Sequence, residues 1–417
     1  MKKLLCTIII LLIIITGCGS NKEVIKINEK GYTLYSEGKY KEAIDKYNEA
    51  IEKYPEYSTS YANRGMVYSQ LGSNELAIRD INKAIELNNT DAIAYNNRGY
   101  IYLTIGEVDK SIEDLNKAIE LKKYYTKKQL LGLTYATRGT AYGAIGEYDK
   151  AIESFDSALK LNKKDKTIYN AKGILLKDMK RYDEALECYN EAITIDQSYA
   201  YGYGNRAFIF FLKKDYDKAL ADINTAIELD PMIPQLYNTK ALIYSDMGNS
   251  EEALEIYDFI VDKWKDYAGA YINRGNEYVK LKQYEKAIVD FSIAADYGSI
   301  DGLLSKGHLH SFLDQHTLAI ETFKKYIEIN PNNYDINIIV GDLYQKIEEY
   351  DKSIEYYKKA NKISPDNYHS YFKWGLSLEY QEKYEEALKM FTKVLEIKAD
   401  QEDAKKEIKF INEKLKR

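Results

Sequence analysis

The sequence predicts an all-α solenoid, in which helical hairpins stack along the chain and share one continuous core. Three observations support this prediction. Glycines recur 34 residues apart, as at Gly31, Gly65 and Gly99. The same small and aromatic residue types follow each glycine at fixed distances. Within each half of the period, apolar residues have helical spacing, as in Tyr61, Gly65 and Tyr68. One such hairpin cannot bury its apolar face alone, so neighbouring hairpins must stack.

The first element is an N-terminal targeting segment, residues 1–17. Two lysines precede about a dozen apolar residues, a segment shorter than the ~20 residues of a membrane-spanning helix and arranged like an export signal. Its last residues, Ile15-Thr16-Gly17-Cys18, resemble the bacterial lipobox, which implies a diacylglycerol on Cys18. We therefore expect a signal peptide (1–17), a lipidated tether (18–23), and a protein anchored extracytoplasmically to the cell membrane or outer membrane.

The second element is the repeat region, residues 24–401. Each repeat is expected to form two amphipathic helices separated by a turn such as Leu71-Gly72-Ser73-Asn74. Six residues (126–131) are inserted after the third repeat, and the eighth repeat is two residues short. The expected repeats are 24–57, 58–91, 92–125, 132–165, 166–199, 200–233, 234–267, 268–299, 300–333, 334–367 and 368–401.

This pattern resembles the tetratricopeptide repeat (TPR), whose 34 residues carry aromatic, Gly, Ala and Pro residues at set positions. The resemblance implies a right-handed TPR superhelix of about eleven helix-turn-helix repeats. The chain departs from the pattern because Tyr replaces Trp at the fourth position of most repeats, and Arg or Lys usually replaces Leu at the seventh. Residues 402–417 have apolar side chains at helical spacing and charges elsewhere, which predicts a C-terminal capping helix.

In most repeats that carry the arginine, an aspartate follows it sixteen residues further on. Four of the five arginines have an aspartate at that offset, whereas Arg138 has Ser154, and none of the corresponding lysines has an acidic partner. Because the planar guanidinium suits a carboxylate better than an ammonium does, we predict structural ion pairs between the two helices of a hairpin. The predicted pairs are Arg64 with Asp80, Arg98 with Asp114, Arg206 with Asp222, and Arg274 with Asp290.

Asparagines stand directly before the same four arginines, at Asn63, Asn97, Asn205 and Asn273. The resemblance places this position near the concave groove, where an asparagine can bind a peptide backbone, but a structural role beside the ion pairs is equally open. The resemblance also places aromatic and apolar residues on the groove, although any of them could instead pack between repeats. The expected partner-binding groove comprises Tyr32, Tyr35, Asn63, Met66, Asn97, Tyr100, Tyr201, Asn205, Phe208, Phe211 and Asn273.

The composition narrows the classes of function. The chain has 417 residues and a net charge of −6, and its interspersed charges give no basic stripe for nucleic acid. No catalytic motif is visible, and no metal or cofactor is predicted. We expect a non-enzymatic scaffold that binds a protein or peptide, for example in assembly of an envelope complex. The alternative is a glycan or small-ligand binding protein of the cell envelope, and the sequence does not indicate the oligomeric state.

Overall fold

A computed structural model of the chain describes residues 22–125 and 127–416, and every regular element in these ranges is helical. Cys18 and the expected signal peptide lie outside the described residues. The chain divides into two compact units, Met1–Pro231 and Met232–Arg417. Among the described residues, no helix is both long enough and apolar enough to cross a membrane.

The first unit consists of six helical hairpins in chain order. In each hairpin the odd-numbered helix comes first and packs against the even-numbered helix that follows it. Its helices are α1 (Lys22–Ser36), α2 (Tyr40–Lys53), α3 (Ser58–Gln70), α4 (Asn74–Leu87), α5 (Ala92–Thr104), α6 (Val108–Glu120), α7 (Lys128–Ala144), α8 (Tyr148–Leu161), α9 (Lys166–Asp178), α10 (Tyr182–Ile195), α11 (Ala200–Leu212) and α12 (Tyr216–Leu229).

The second unit consists of five further hairpins and a last single helix. Its helices are α13 (Pro234–Asp246), α14 (Ser250–Lys263), α15 (Ala268–Lys280), α16 (Tyr284–Asp296), α17 (Ile300–Phe312), α18 (His316–Ile329), α19 (Tyr334–Lys346), α20 (Tyr350–Ile363), α21 (Tyr368–Tyr380), α22 (Tyr384–Ile397) and α23 (Glu402–Leu415). An all-α fold of stacked hairpins is therefore confirmed in each unit.

The recurring glycine lets the two helices of a hairpin approach closely. A Cβ atom built on Gly275 would lie 2.6 Å from Cε1 of Phe291, and one on Gly173 would lie 2.5 Å from Cε1 of Tyr189. Both rings are fully buried. The large ring sixteen residues after the glycine thus occupies the space that the missing side chain leaves, which fixes the register of the hairpin.

The insertion lengthens a helix instead of forming a free loop. A short 3-10 turn (Lys122–Tyr124) follows α6, and α7 begins at Lys128, so α7 has 17 residues where most first helices have 13. The hydroxyl groups of Tyr125 and Thr134 lie 2.6 Å apart, and Tyr125 packs with Ile93 and Leu133. The inserted segment is therefore attached to both neighbouring hairpins.

The last helix, α23, covers the end of the second unit. Ala404 and Ile411 are buried against Phe391 and Val394 of α22, while the charged side chains of α23 face solvent. Leu415 is exposed, so the covering contact ends near Ile411. An apolar inner face with a polar outer face is what a terminal repeat needs for solubility.

Candidate functional site

Four arginines of the first helices each donate two hydrogen bonds to an aspartate in the second helix of the same hairpin. In the second hairpin, Nε of Arg64 donates to Oδ2 of Asp80 at 2.6 Å and Nη2 donates to Oδ1 at 2.9 Å. The same two-pronged contact joins Arg98 to Asp114, Arg206 to Asp222 and Arg274 to Asp290, with distances of 2.6–2.8 Å. The side chains are 15–21% exposed for the arginines and 3–12% for the aspartates, so these pairs are largely shielded from water.

Each of these arginines also reaches the preceding hairpin. Nη1 of Arg64 donates to Oδ1 of Asn48 at 2.6 Å, and Asn48 lies in α2, sixteen residues before the arginine. The acceptors for Arg98, Arg206 and Arg274 are Asn82, Asn190 and Asp258, all at 2.7 Å. One guanidinium therefore connects three helices, and we call this arrangement the arginine clamp.

Tyrosine rings flank the clamp on the surface of the first helix. Cζ of Arg98 lies 5.5 Å from the ring centre of Tyr95 and 6.0 Å from that of Tyr102, one turn of helix to either side. Rings at this distance attract the cation. The Asp114 carboxylate raises the pKa of the Arg98 guanidinium against the opposing effect of burial, so the guanidinium stays protonated and the ion pair persists.

Two hairpins of the first unit contain reduced versions of the clamp. Arg138 donates to Oγ of Ser154 at 3.2 Å and to Oδ1 of Asn116 at 3.0 Å. Lys172 donates to Asp156 of the preceding hairpin at 2.6 Å. Both therefore keep the connection to the preceding hairpin, although neither has a carboxylate partner in its own second helix.

The asparagines before the arginines connect successive first helices. Nδ2 of Asn205 donates to Oδ1 of Asn170 at 2.8 Å, and Nδ2 of Asn273 donates to Oδ1 of Asn238 at 2.8 Å. In α3, Asn63 is 1% exposed and donates to Asn28 at 3.4 Å. These asparagines thus take part in contacts between repeats.

Burial corrects the expected groove at three positions. Asn63, Met66 and Asn97 are 1%, 2% and 3% exposed, respectively. Successive first helices contact each other directly, and the hydrogen bond from Asn28 to Ser60 (2.8 Å) brings α1 against α3. Because these helices pack so closely, the three side chains lie beneath the surface and have no access to a partner.

Aromatic side chains remain accessible at two places on the first helices of the first unit. On α1, Tyr32 is 36% exposed and Tyr35 is half-buried. Burial raises the pKa of Tyr35 to about 12, so its hydroxyl stays neutral. On α11, Phe208 and Phe211 are half-buried with ring centres 5.8 Å apart, and Tyr201 is 39% exposed. Tyr100, between these places on α5, is half-buried.

In the second unit, the first helices carry charged and polar groups. The hydroxyl of Tyr357 donates to Oδ1 of Asp342 at 2.6 Å, and Nζ of Lys373 lies 3.1 Å from the same oxygen. Desolvation lowers the pKa of the nearby His369, which favours its neutral form. Asp342 is thus held in a local hydrogen-bond network.

Other reactive groups have structural surroundings. Cys188, in the aspartate position of its repeat, is buried, and burial raises the pKa of its thiol to about 11, which suppresses the nucleophilic thiolate. Among residues 22–125 and 127–416, no three His, Cys, Asp or Glu side chains come together as a metal site.

Sequence reasoning missed the second partner of each arginine and the first asparagine of each inter-helix pair. The missed acceptors of the clamp are Asn48, Asn82, Asn116, Asn190 and Asp258, and the missed asparagines are Asn28, Asn170 and Asn238. Counting sixteen residues backwards from the arginines would have found the acceptors, except at Arg138, where the insertion makes the offset 22.

Sequence comparison identifies the repeat in both units. Profiles described as tetratricopeptide repeat or TPR repeat match residues 31–72, 67–106, 90–164, 167–199, 200–232, 234–258, 268–292, 300–333, 334–367 and 368–401. Human tetratricopeptide repeat protein 12 is 35% identical over 86 residues, which are 20% of this chain and 12% of the human protein. The match thus spans only a small part of that relative.

One solved structure, human IFIT1, supports the same fold. Human IFIT1, solved as a dimer with PPP-AAAA, has a TM-score of 0.51 at 15% identity, and the match covers 96% of this chain and 94% of IFIT1. A tetratricopeptide repeat protein from Parabacteroides merdae has a TM-score of 0.49 at 20% identity, covering 64% of this chain and 100% of that protein. At these identities the likeness concerns the fold alone. With the profile matches running through both units, the chain belongs to the tetratricopeptide repeat family.

Proposed function

We propose that this protein is a non-enzymatic, membrane-anchored, extracytoplasmic scaffold that binds a protein or peptide partner and serves in assembly of an envelope complex. Tetratricopeptide repeats form surfaces for protein–protein interaction, which supports the general part of this proposal. The lipobox-like residues Ile15 to Cys18 support the anchor. Two acyl chains suffice for stable membrane attachment, at ~0.8 kcal/mol for each buried CH₂.

The observation that carries the partner site is the pair of phenylalanines on α11. Phe208 and Phe211 stay partly exposed, whereas Tyr189 of the preceding hairpin is fully buried. Nζ of Lys177 lies 5.8 Å from the Phe208 ring and Nζ of Lys214 lies 5.8 Å from the Phe211 ring. A partner segment that inserts an apolar side chain between these rings fits such a surface.

The buried asparagines Asn63 and Asn97 do not contribute to the partner-binding surface of the first helices. The partner-binding groove is accordingly reduced to the accessible residues of α1, α5 and α11, with Asn205 as a half-buried polar neighbour on α11. Asn273 is half-buried on α15 of the second unit. The groove residues proposed to contact a partner are Tyr32, Tyr35, Tyr100, Tyr201, Phe208 and Phe211.

Photo-crosslinking in living cells tests the partner site. A photoreactive amino acid at position 32 or 211 is expected to capture the same protein, identified by mass spectrometry. The matched control is position 312, since Phe312 is 68% exposed but lies at the far end of α17. Equal capture from positions 211 and 312 would contradict a specific groove.

Mutation then measures the contribution of the anchor ring. Phe211→Ala is expected to weaken binding of the captured partner at least tenfold, because buried aromatic anchors commonly contribute ~2 kcal/mol or more. Phe312→Ala should leave the affinity unchanged. Membrane fractionation of Cys18→Ala tests the lipid anchor separately, and retention of that variant in the membrane with its signal removed would contradict lipidation at Cys18.

A further inference from the structure

Six exposed lysines occupy two consecutive turns of the first unit, each turn leading from a second helix to the next first helix. Lys122 and Lys123 lie in the 3-10 turn after α6, Lys127 and Lys128 lie in the inserted segment (126–131), and Lys163 and Lys164 lie between α8 and α9. We call this group the lysine edge. The other turns of this type in the unit read YPEY (54–57), NNTD (88–91) and DQSY (196–199), and each contains one acid and no base.

The two lysine-bearing turns form one surface. Nδ2 of Asn162 donates to the carbonyl oxygen of Gln129 at 3.0 Å, and a Cβ atom on Gly132 would lie 2.8 Å from the same asparagine side chain. On the other side, the residue before the insertion, Tyr125, is half-buried and contacts Ile93 of α5 and Thr134 of α7. The six ammonium groups are therefore displayed by a fixed piece of backbone.

The charge of the lysine edge is not compensated locally. In the part of the chain that the structure describes, none of the six lysines forms an ion pair. The adjacent acids are engaged elsewhere: Glu120 pairs with Lys117, and Asp165 caps the first turn of α9. Like charges are thus kept together on the protein surface, at an electrostatic cost that a partner of opposite charge would remove.

The lysine edge lies on the side of the unit on which α1 begins. All first helices of the unit begin on this side, including α1 at Lys22. Cys18 precedes Lys22 by four residues, which reach at most ~14 Å. Three interhelix spacings, or ~30 Å, separate α1 from α7 along the row of first helices. A lipid on Cys18 would keep the start of α1 within this reach of the bilayer, on the same side of the unit as the lysine edge.

We propose that the lysine edge docks on the anionic phospholipid headgroups of the membrane into which the acyl chains of Cys18 insert. This inference rests on the proposed lipid anchor. Lysines at the tips of two turns, without a cleft, suit a diffuse layer of negative charge better than the paired geometry that arginine forks provide. Tyr124 is 46% exposed, with its ring 4.8 Å from Nζ of Lys123, and tyrosine is favoured at the headgroup level. These features favour a lipid surface over an acidic protein.

Vesicle binding of the full chain tests the inference. Vesicles are made of phosphatidylcholine alone or with phosphatidylglycerol. The apolar N-terminal segment is common to all variants, so binding to neutral vesicles reports that segment, and the additional binding to anionic vesicles reports the lysines. A lysine near an anionic surface contributes about a fivefold increase in binding. Lys163→Gln with Lys164→Gln should therefore reduce the anionic increment by about 25-fold.

The control variant is Lys110→Gln with Lys150→Gln, which changes the net charge equally at the opposite edge, where α6 and α8 begin. It should retain the anionic increment. Equal increments in the two double variants would overturn the inference. A lysine-dependent complex with soluble polyglutamate, without lysine-dependent preference for anionic vesicles, would overturn it in favour of an acidic protein.

The two proposals fail separately. If Cys18 is not lipidated in cells but the purified chain keeps its lysine-dependent anionic increment, the anchor fails and the lysine edge stands. If lipidation is found and the increment is absent, the anchor stands and the lysine edge is overturned.

Discussion

The arginine clamp makes a quantitative prediction for Arg98→Ala. This substitution removes two hydrogen bonds to Asp114 and one to Asn82, and it leaves a carboxylate whose side chain is 7% exposed without its counter-ion. Breaking a fully buried pair costs ~3–5 kcal/mol. Because the Arg98 side chain is itself 20% exposed, water can reach part of the site, and we expect a loss of about 2–4 kcal/mol in the free energy of unfolding.

Arg181→Ala is the matched control. Arg181 also holds a carboxylate with two hydrogen bonds of 2.6 Å, to Glu184, but these side chains are 40% and 50% exposed. Pairs of this kind contribute ~0–1 kcal/mol. Both variants remove a carboxylate pair with two hydrogen bonds, and Arg98→Ala also removes the hydrogen bond to Asn82. The difference between the two losses therefore measures shielding from water together with this contact to the preceding hairpin.

Urea unfolding combined with amide hydrogen exchange is the suitable assay, because repeat proteins unfold in segments and a single midpoint would average over them. In Arg98→Ala, protection should fall in α5 and α6, which the pair joins, and also in α4, which carries Asn82. Equal losses in the two variants, or a loss confined to α5 and α6, would refute the reasoning.

Two further substitutions test packing and charge. Gly275→Ala should destabilise the protein by ~1–3 kcal/mol, since the new methyl group would lie 2.6 Å from the Phe291 ring. Gly269→Ala in the same helix should be neutral or stabilising, because the nearest neighbour of its methyl group is 3.6 Å away. The urea midpoints of the two variants measure this difference. For α23, burial and the neighbouring Glu407 raise the pKa of Glu379 to about 7 from its ordinary value of 4.5. The native carboxyl therefore retains a proton that the unfolded chain loses within this interval, so stability falls as the pH rises through it. Glu379→Gln should protect the amides of α23 above pH 7 and not below 4.5, and an equal effect at both extremes would contradict the coupling.

The helices of this fold could be predicted well from the sequence because the same residue pattern recurs in successive repeats. A single glycine with a helical apolar pattern is weak evidence, whereas Gly31, Gly65 and Gly99 recur at one spacing. The offset of sixteen residues from arginine to aspartate also had a direct geometric meaning, because it joins the middle of one helix to the middle of the next. In the structure, the two groups at that offset are in contact in all four hairpins.

The groove was harder to predict because it depends on the distance between first helices of different repeats. Asn63 and Asn97 stand where a wider spacing would expose them, but the small residues of neighbouring helices permit contacts such as that of Asn28 with Ser60. Periodicity gives the direction of a side chain on its own helix and contains no information on how closely the next repeat approaches. Exposure on α1 and α11 could therefore be read only from the structure.

The clamp also explains why a cation recurs beside the packed face of the first helix. Within each unit, a first helix that follows another hairpin lies between two second helices, its own and that of the preceding hairpin, so a central side chain can join both. The guanidinium does so with separate nitrogens, as Arg64 does with Asp80 and Asn48. Lys172 has one ammonium and reaches only Asp156 of the preceding hairpin. At Lys172 the interaction between repeats is thus kept without the interaction within the repeat, so the two contributions to solenoid stability are separable.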